Sequence, residues 1–150
     1  MNNFVPLRII SCYSFLQSGL TIEKITQSVH KNDYFGLGLC DNGVLFGVPH
    51  FVKASERIKK PYVVGLEVHV NKDVICLYAI NEEGYHHLME ISTSIQKEEF
   101  SLDLLKEKAA GLIAVLPTYQ GKFKELFENN DDSFAKYLFK YGFPVLSGSP

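Results

Sequence analysis

At 150 residues, with 46% apolar and 21% charged side chains, the chain is long enough to bury one sizeable core and has the make-up of an ordinary globular domain. Fifteen Lys and Arg against seventeen Asp and Glu leave a formal charge of −2, which argues against the broad basic surface of a nucleic-acid-gripping protein. The amino-terminal MNNFVPLRII has neither a basic leader nor a long apolar core, and no stretch reaches the roughly twenty apolar residues that span a bilayer. A cytoplasmic protein with no membrane partner is expected.

Strand and helix patterns alternate along the chain. Phe4 to Ile10 is a short β-branched run whose Pro6 favours an edge position. Thr21 is placed to cap a helix carrying Ile22, Ile25 and Val29 at helical spacing. Gly36 to Cys40 reads as a second strand, kept thin by Gly36 and Gly38 so that a neighbour can approach its backbone. Asp41 ends it, and Asn42 and Gly43 make a turn. Val48, Phe51, Val52 and Ala54 then mark a helix with Pro49 in its first turn.

Tyr62 to Val70 and Val74 to Ile80 are β-runs joined by a short polar turn, which suits a hairpin. Asn81 opens a further helix with Glu82 and Glu83 at its positive end, and Ser101 opens another through Lys108. Leu112 to Leu116 is a fifth strand. Phe123 to Phe127 and Phe134 to Tyr141 are aromatic helical segments, with Leu126, Phe127, Phe134, Tyr137 and Leu138 as expected core. The alternation points to an α/β architecture with mostly parallel strands, compatible with part of a (β/α) barrel.

Candidate chemistry is sparse. Cys12, Cys40 and Cys76 form no CxxC pair and read as three free thiols in buried strands of a reducing compartment. A hydrolytic metal centre needs His and carboxylate ligands converging at strand ends, and Asp41, His50, Glu67 and His69 are the candidates. Glu67 and His69 share one face of their strand, but a carboxylate there could equally pair with Arg8 or a lysine. His86 and His87 diverge by about 100° on a helix and do not suit one metal, while His30 fits a helix end. Neither Ser11 nor Ser14 has an activating histidine nearby in sequence. Lys53, Arg57, Lys59 and Lys60 read as a solvated helix face.

Five segments, in order, resemble a known family. FVPLRIISCYSFL is similar to FVHLHVHSEYSLL, and LGLCDNGVLFGVPHFVKAS to LALTDHGNMFGAVEFYKAA. KPYVVGLEVHV, LYAINEEGYHHLMEIST and EKAAGLIAVLP resemble KPIIGCEVYV, LLAKNEEGYRNLMKLVS and EGLIALSG. These are segments of the polymerase-and-histidinol-phosphatase (PHP) domain that begins the alpha subunit of bacterial DNA polymerase III, in its Gram-positive flavour. The match is good over residues 4–117; residues 118–150 are expected to be a helical extension, and KYGFPVLSGSP matches nothing in the family.

The resemblance implies a distorted (β/α)7 barrel, here partial because the family domain is longer. It also implies a three-metal site, and this chain departs from it. The HxH pair is Arg8 and Ile10, the histidine after Asp41 is Asn42, and a later histidine is Val74; only Asp41 and Glu67 are kept, as weak metal candidates. Arg8 is expected to pair with Asp41 or Glu67 as counter-charge. The implied function is a non-catalytic PHP module of the alpha (catalytic) subunit, structural or partner-binding, with no catalytic residue or cofactor of its own. Its partners would be the rest of that subunit and a proofreading exonuclease. DNA and Mg²⁺ would belong to the nucleotide-transferring parent. The alternative is a free-standing PHP phosphoesterase or 3′–5′ exonuclease using Zn²⁺ or Mn²⁺, with His50 and His69 making good the lost ligands.

Overall fold

The structure is a computed structural model that describes residues 2–117, 121–129, 141 and 143. Among the described residues nine elements follow in chain order: α1 (Ile22–Lys31), β1 (Leu37–Asn42), α2 (Val48–Arg57), β2 (Tyr62–Val70), β3 (Asp73–Ala79), α3 (Glu82–Gln96), α4 (Leu102–Glu107), β4 (Leu112–Val115) and α5 (Gly121–Glu128). The caps are those the sequence signals. Thr21 accepts from the Lys24 backbone N–H, Asn81 from that of Gly84 and Ser101 from that of Leu104.

The four strands form one open sheet in the order β1-β2-β3-β4. β1 and β2 run parallel across the crossover helix α2, whereas β2–β3 and β3–β4 are antiparallel. The expectation of mostly parallel strands is therefore corrected to a mixed sheet. The cause is local: Asn71 and Lys72 between β2 and β3 are too few for the crossover that parallel pairing needs, so the chain must fold back as a hairpin.

The first expected strand is also corrected. Phe4 to Ile10 runs beside β1 but is reduced to an isolated parallel bridge, Ile9 with Leu39. Pro6 can only accept, and it takes the Gly38 N–H at 2.8 Å. Gly38 matters here because a Cβ on it would lie 2.4 Å from the Leu7 carbonyl oxygen. The anticipated thinness of this strand is thus used by the amino-terminal segment.

One face of the sheet carries the main core, with Leu37, Leu39, Leu66, Val68, Ile75 and Leu77 packed beneath Phe51 of α2 and Leu88 and Ile91 of α3. The opposite face holds a small separate cluster of Cys40, Cys76 and Tyr78, edged by Val63. Cys12, expected in a buried strand, is instead exposed in the loop before α1, because the run that would bury it does not continue as a strand. At the other end of the sheet, buried Asp73 accepts from the Lys122 backbone N–H and from the Tyr141 hydroxyl. Leu126 is half-buried and Tyr141 fully buried; Phe134, Tyr137 and Leu138 lie outside the described residues.

Candidate functional site

The family-marked residues gather where β1 ends beside β2, but they do not form one cluster. In the parallel register Asn42 lies beside Glu67, and Asp41 beside Leu66. Successive side chains alternate between faces, so Asn42 and Glu67 share one face while Asp41 faces the other way with the core residue Leu66. Across the hairpin Glu67 pairs with Cys76 and His69 with Val74, which places Val74 on the face of Glu67.

Each carboxylate has its own partners. Asp41, almost fully buried, accepts from the Ser11 backbone N–H at 2.7 Å, the Ser11 hydroxyl at 2.7 Å and the Ser14 hydroxyl at 2.8 Å. Ser14 Oγ in turn accepts from the Asn42 N–H at 3.0 Å. These bonds staple the loop that follows the amino-terminal segment onto the end of β1. An ionised carboxylate can be buried at low cost when several donors converge on it.

Glu67 is equally buried and is held from both sides. Arg8 Nε donates to Oε2 at 3.0 Å and Arg8 Nη2 donates to the same oxygen, while His69 Nε2 lies 3.2 Å from Oε1. Of the two expected partners for Arg8, the guanidinium takes Glu67. The Arg8 side chain is 34% exposed, so it caps the carboxylate from the solvent side. Beside it, Asn42, Gly43, Glu67, His69, Ile95 and Phe100 line a pocket of about 190 Å³.

Three neighbours on this face share its electrostatics. The Cys76 thiol is drawn below its ordinary value, chiefly by a hydrogen bond with Cys40, and Arg8 acts in the same direction against burial and Glu67. The Cys40 thiol is pushed up, first by its bond to Cys76 and then by burial. Burial also pushes the Tyr78 hydroxyl up, and that hydroxyl donates to the Leu7 carbonyl at 3.2 Å.

The remaining histidines stand apart. His50 pairs with Glu23 of α1 at 2.8 Å, so the structure does not bring it to His69. His86 and His87 each turn Nδ1 to a backbone carbonyl, of Glu82 and Ala110 respectively. Among the described residues no three His, Cys, Asp or Glu side chains converge as a metal site would require. A cation cluster does not fit the residues present: a guanidinium occupies one oxygen of Glu67, His69 the other, and Val74 offers no donor. Sequence reasoning passed over Ser11 and Ser14 as partners of Asp41. The signal was present, since both serines match the family segment FVHLHVHSEYSLL, but a serine pair in an irregular loop has no periodicity to mark it.

The PHP domain model matches residues 6–142. The chain belongs to the PHP domain family. It is similar to the N-terminal region of DNA polymerase III alpha subunits. It is 30% identical over 138 residues to the subunit of Bacillus subtilis, covering 84% of this chain and 12% of that protein. It is 28% identical over 119 residues to the subunit of Streptococcus pyogenes, covering 77% of this chain and again 12% of the relative. The chain thus spans about an eighth of the curated relatives it matches. In fold, this PHP domain is similar to a suspected metal-dependent phosphoesterase from Bifidobacterium adolescentis, with a TM-score of 0.52 at 13% identity over 98% of this chain and 60% of that one. The family match reaches past Leu116, beyond the segments that carried the resemblance.

Proposed function

We propose that this PHP domain is a non-catalytic module of the alpha subunit of a bacterial DNA polymerase III, serving structure and partner contacts. The observation that carries this reading is the ion pair of Arg8 with Glu67. At the position where the family resemblance puts a histidine, Arg8 brings a fixed positive charge that cannot be shed at neutral pH. It does electrostatically what a cation would do for Glu67, but it supplies no open coordination position and activates no water.

The rest of the site agrees. Asp41 is committed to Ser11 and Ser14, and Val74 has nothing to coordinate with. The partners in this reading are the remainder of the alpha subunit and a proofreading exonuclease, with DNA and Mg²⁺ handled by the parent. The near-neutral net charge favours protein-facing surfaces over phosphate gripping. A cytoplasmic setting follows from the same reading; among the described residues no helix is long and apolar enough to cross a membrane.

The test is turnover of a chromogenic phosphate ester with added Mn²⁺ or Zn²⁺. Folded protein without activity is the expected result. Activity that is lost in Glu67→Ala would overturn the reading in favour of a metal-dependent phosphoesterase.

A further inference from the structure

The proposed function makes no use of the loop between Ser11 and Leu20, whose tip is apolar and stands in open solvent. Its base is closed by the Cys12 N–H, which donates to the Leu20 carbonyl at 2.8 Å. Its near side is fixed to β1 by the bonds of Ser11 and Ser14 to Asp41. The Gln17 N–H donates to the Ser14 carbonyl at 3.1 Å, which makes Phe15 and Leu16 the two central residues of a tight turn. Proline, glycine and asparagine commonly fill such positions. Here they hold two large apolar side chains, 84% and 91% exposed.

Leu16 also holds φ at 61°, in the left-handed region where glycine is at ease and a larger side chain is strained. Its side chain is almost wholly in water, so packing within the fold does not offset the strain. The tip belongs to a patch. A Cβ on Gly47 would lie 2.8 Å from the Tyr13 ring, so the loop rests against the start of α2, where Phe46 is 67% exposed. Tyr13 and Leu20 are exposed as well. Contiguous apolar surface of this kind marks a contact that the folded chain has not made by itself.

Charge narrows what can cover it. Although 21% of the chain is charged, no charged side chain occurs from Ile9 to Ile22 or from Asn42 to Pro49. A charged partner of either sign finds nothing here to pair with, and an anionic lipid surface finds no lysine or arginine in either segment. An uncharged surface is complementary to itself, because two copies meet without like-charge repulsion.

We propose that the face formed by Tyr13, Phe15, Leu16, Leu20 and Phe46 joins two copies of this chain in a two-fold dimer. In such a dimer the same patch serves both copies. The turn holds Phe15 and Leu16 in place before contact, which lowers the ordering cost of association. The patch is small beside a standard interface of about 800 Å² per partner, so the dimer is reversible and depends on concentration.

The experiment is analytical ultracentrifugation of the full chain over a concentration series. The wild type should pass from monomer to twice the monomer mass as concentration rises. Phe15→Glu and Leu16→Glu, both at exposed positions, should stay monomeric. Ile80→Glu, exposed at the opposite end of the sheet, should dimerise as the wild type does. Leu16→Gly separates the patch from the fold. In dilute solution its thermal midpoint should equal or exceed that of the wild type, while its dimer dissociation constant rises about tenfold or more. A wild type that stays monomeric at every concentration overturns the proposal, whether or not it binds neutral lipid vesicles or another protein. So does a dimer that survives both glutamate substitutions at the tip or is lost in Ile80→Glu. Open-ended assembly, or a lower midpoint in Leu16→Gly, overturns it as well.

Discussion

At position 8 a guanidinium stands over a carboxylate that is almost wholly removed from water, and this sets what a substitution there must cost. Arg8→Ala leaves Glu67 buried with, among the described residues, His69 alone hydrogen-bonded to its carboxylate. The expected loss is about 2–3 kcal/mol, below the full range for a broken buried pair because Arg8 is partly in water. Urea unfolding measures it, and an unchanged midpoint would count against the pair as the counter-charge of this site. Ser14 acts on the other carboxylate. Ser14→Ala removes one of three donors to Asp41 and one acceptor for the Asn42 N–H, at an expected cost of about 1–3 kcal/mol by the same measurement. That Arg8 and Asn42 depart from the pattern the family resemblance implies was legible in the sequence, because a substituted motif is a local fact. That Asp41 points away from Glu67 was not, since it depends on the register of β1 against β2.

Among the elements, β1 shows how a glycine recruits a neighbour. Gly38→Ala would drive a methyl group into the Leu7 carbonyl and push the amino-terminal segment off the sheet, carrying Arg8 away from Glu67. Limited proteolysis should then cut within residues 2–10 well before the rest of the domain; an unchanged cleavage pattern would contradict this. Helix starts are simpler. Asn81→Ala removes the bond to the Gly84 N–H and should cost about 1 kcal/mol, read from thermal unfolding. Such caps were legible because Asn81, Thr21 and Ser101 each act within a few residues of themselves. Strand direction was less so. The hairpin between β2 and β3 followed from its short turn, but the antiparallel seating of β4 on β3 is set by the path of α3 and α4, which no local pattern encodes.

For the whole molecule, the fold and the site tell different parts of one history. The α/β class, the family and the order of the elements from α1 to β4 were readable from spacing and from five ordered segments, whereas the strand expected at Phe4 to Ile10 is only a bridge. What the site has become could be read only in outline. Arg8 could have met either carboxylate, and the choice of Glu67 emerges only when the amino-terminal segment is laid along β1. The central claim is that this guanidinium has taken over the electrostatic role of metal. Elemental analysis of the purified chain tests it most directly. No stoichiometric zinc, manganese or iron is expected; a stoichiometric divalent metal that disappears in Glu67→Ala would overturn this reading of Arg8.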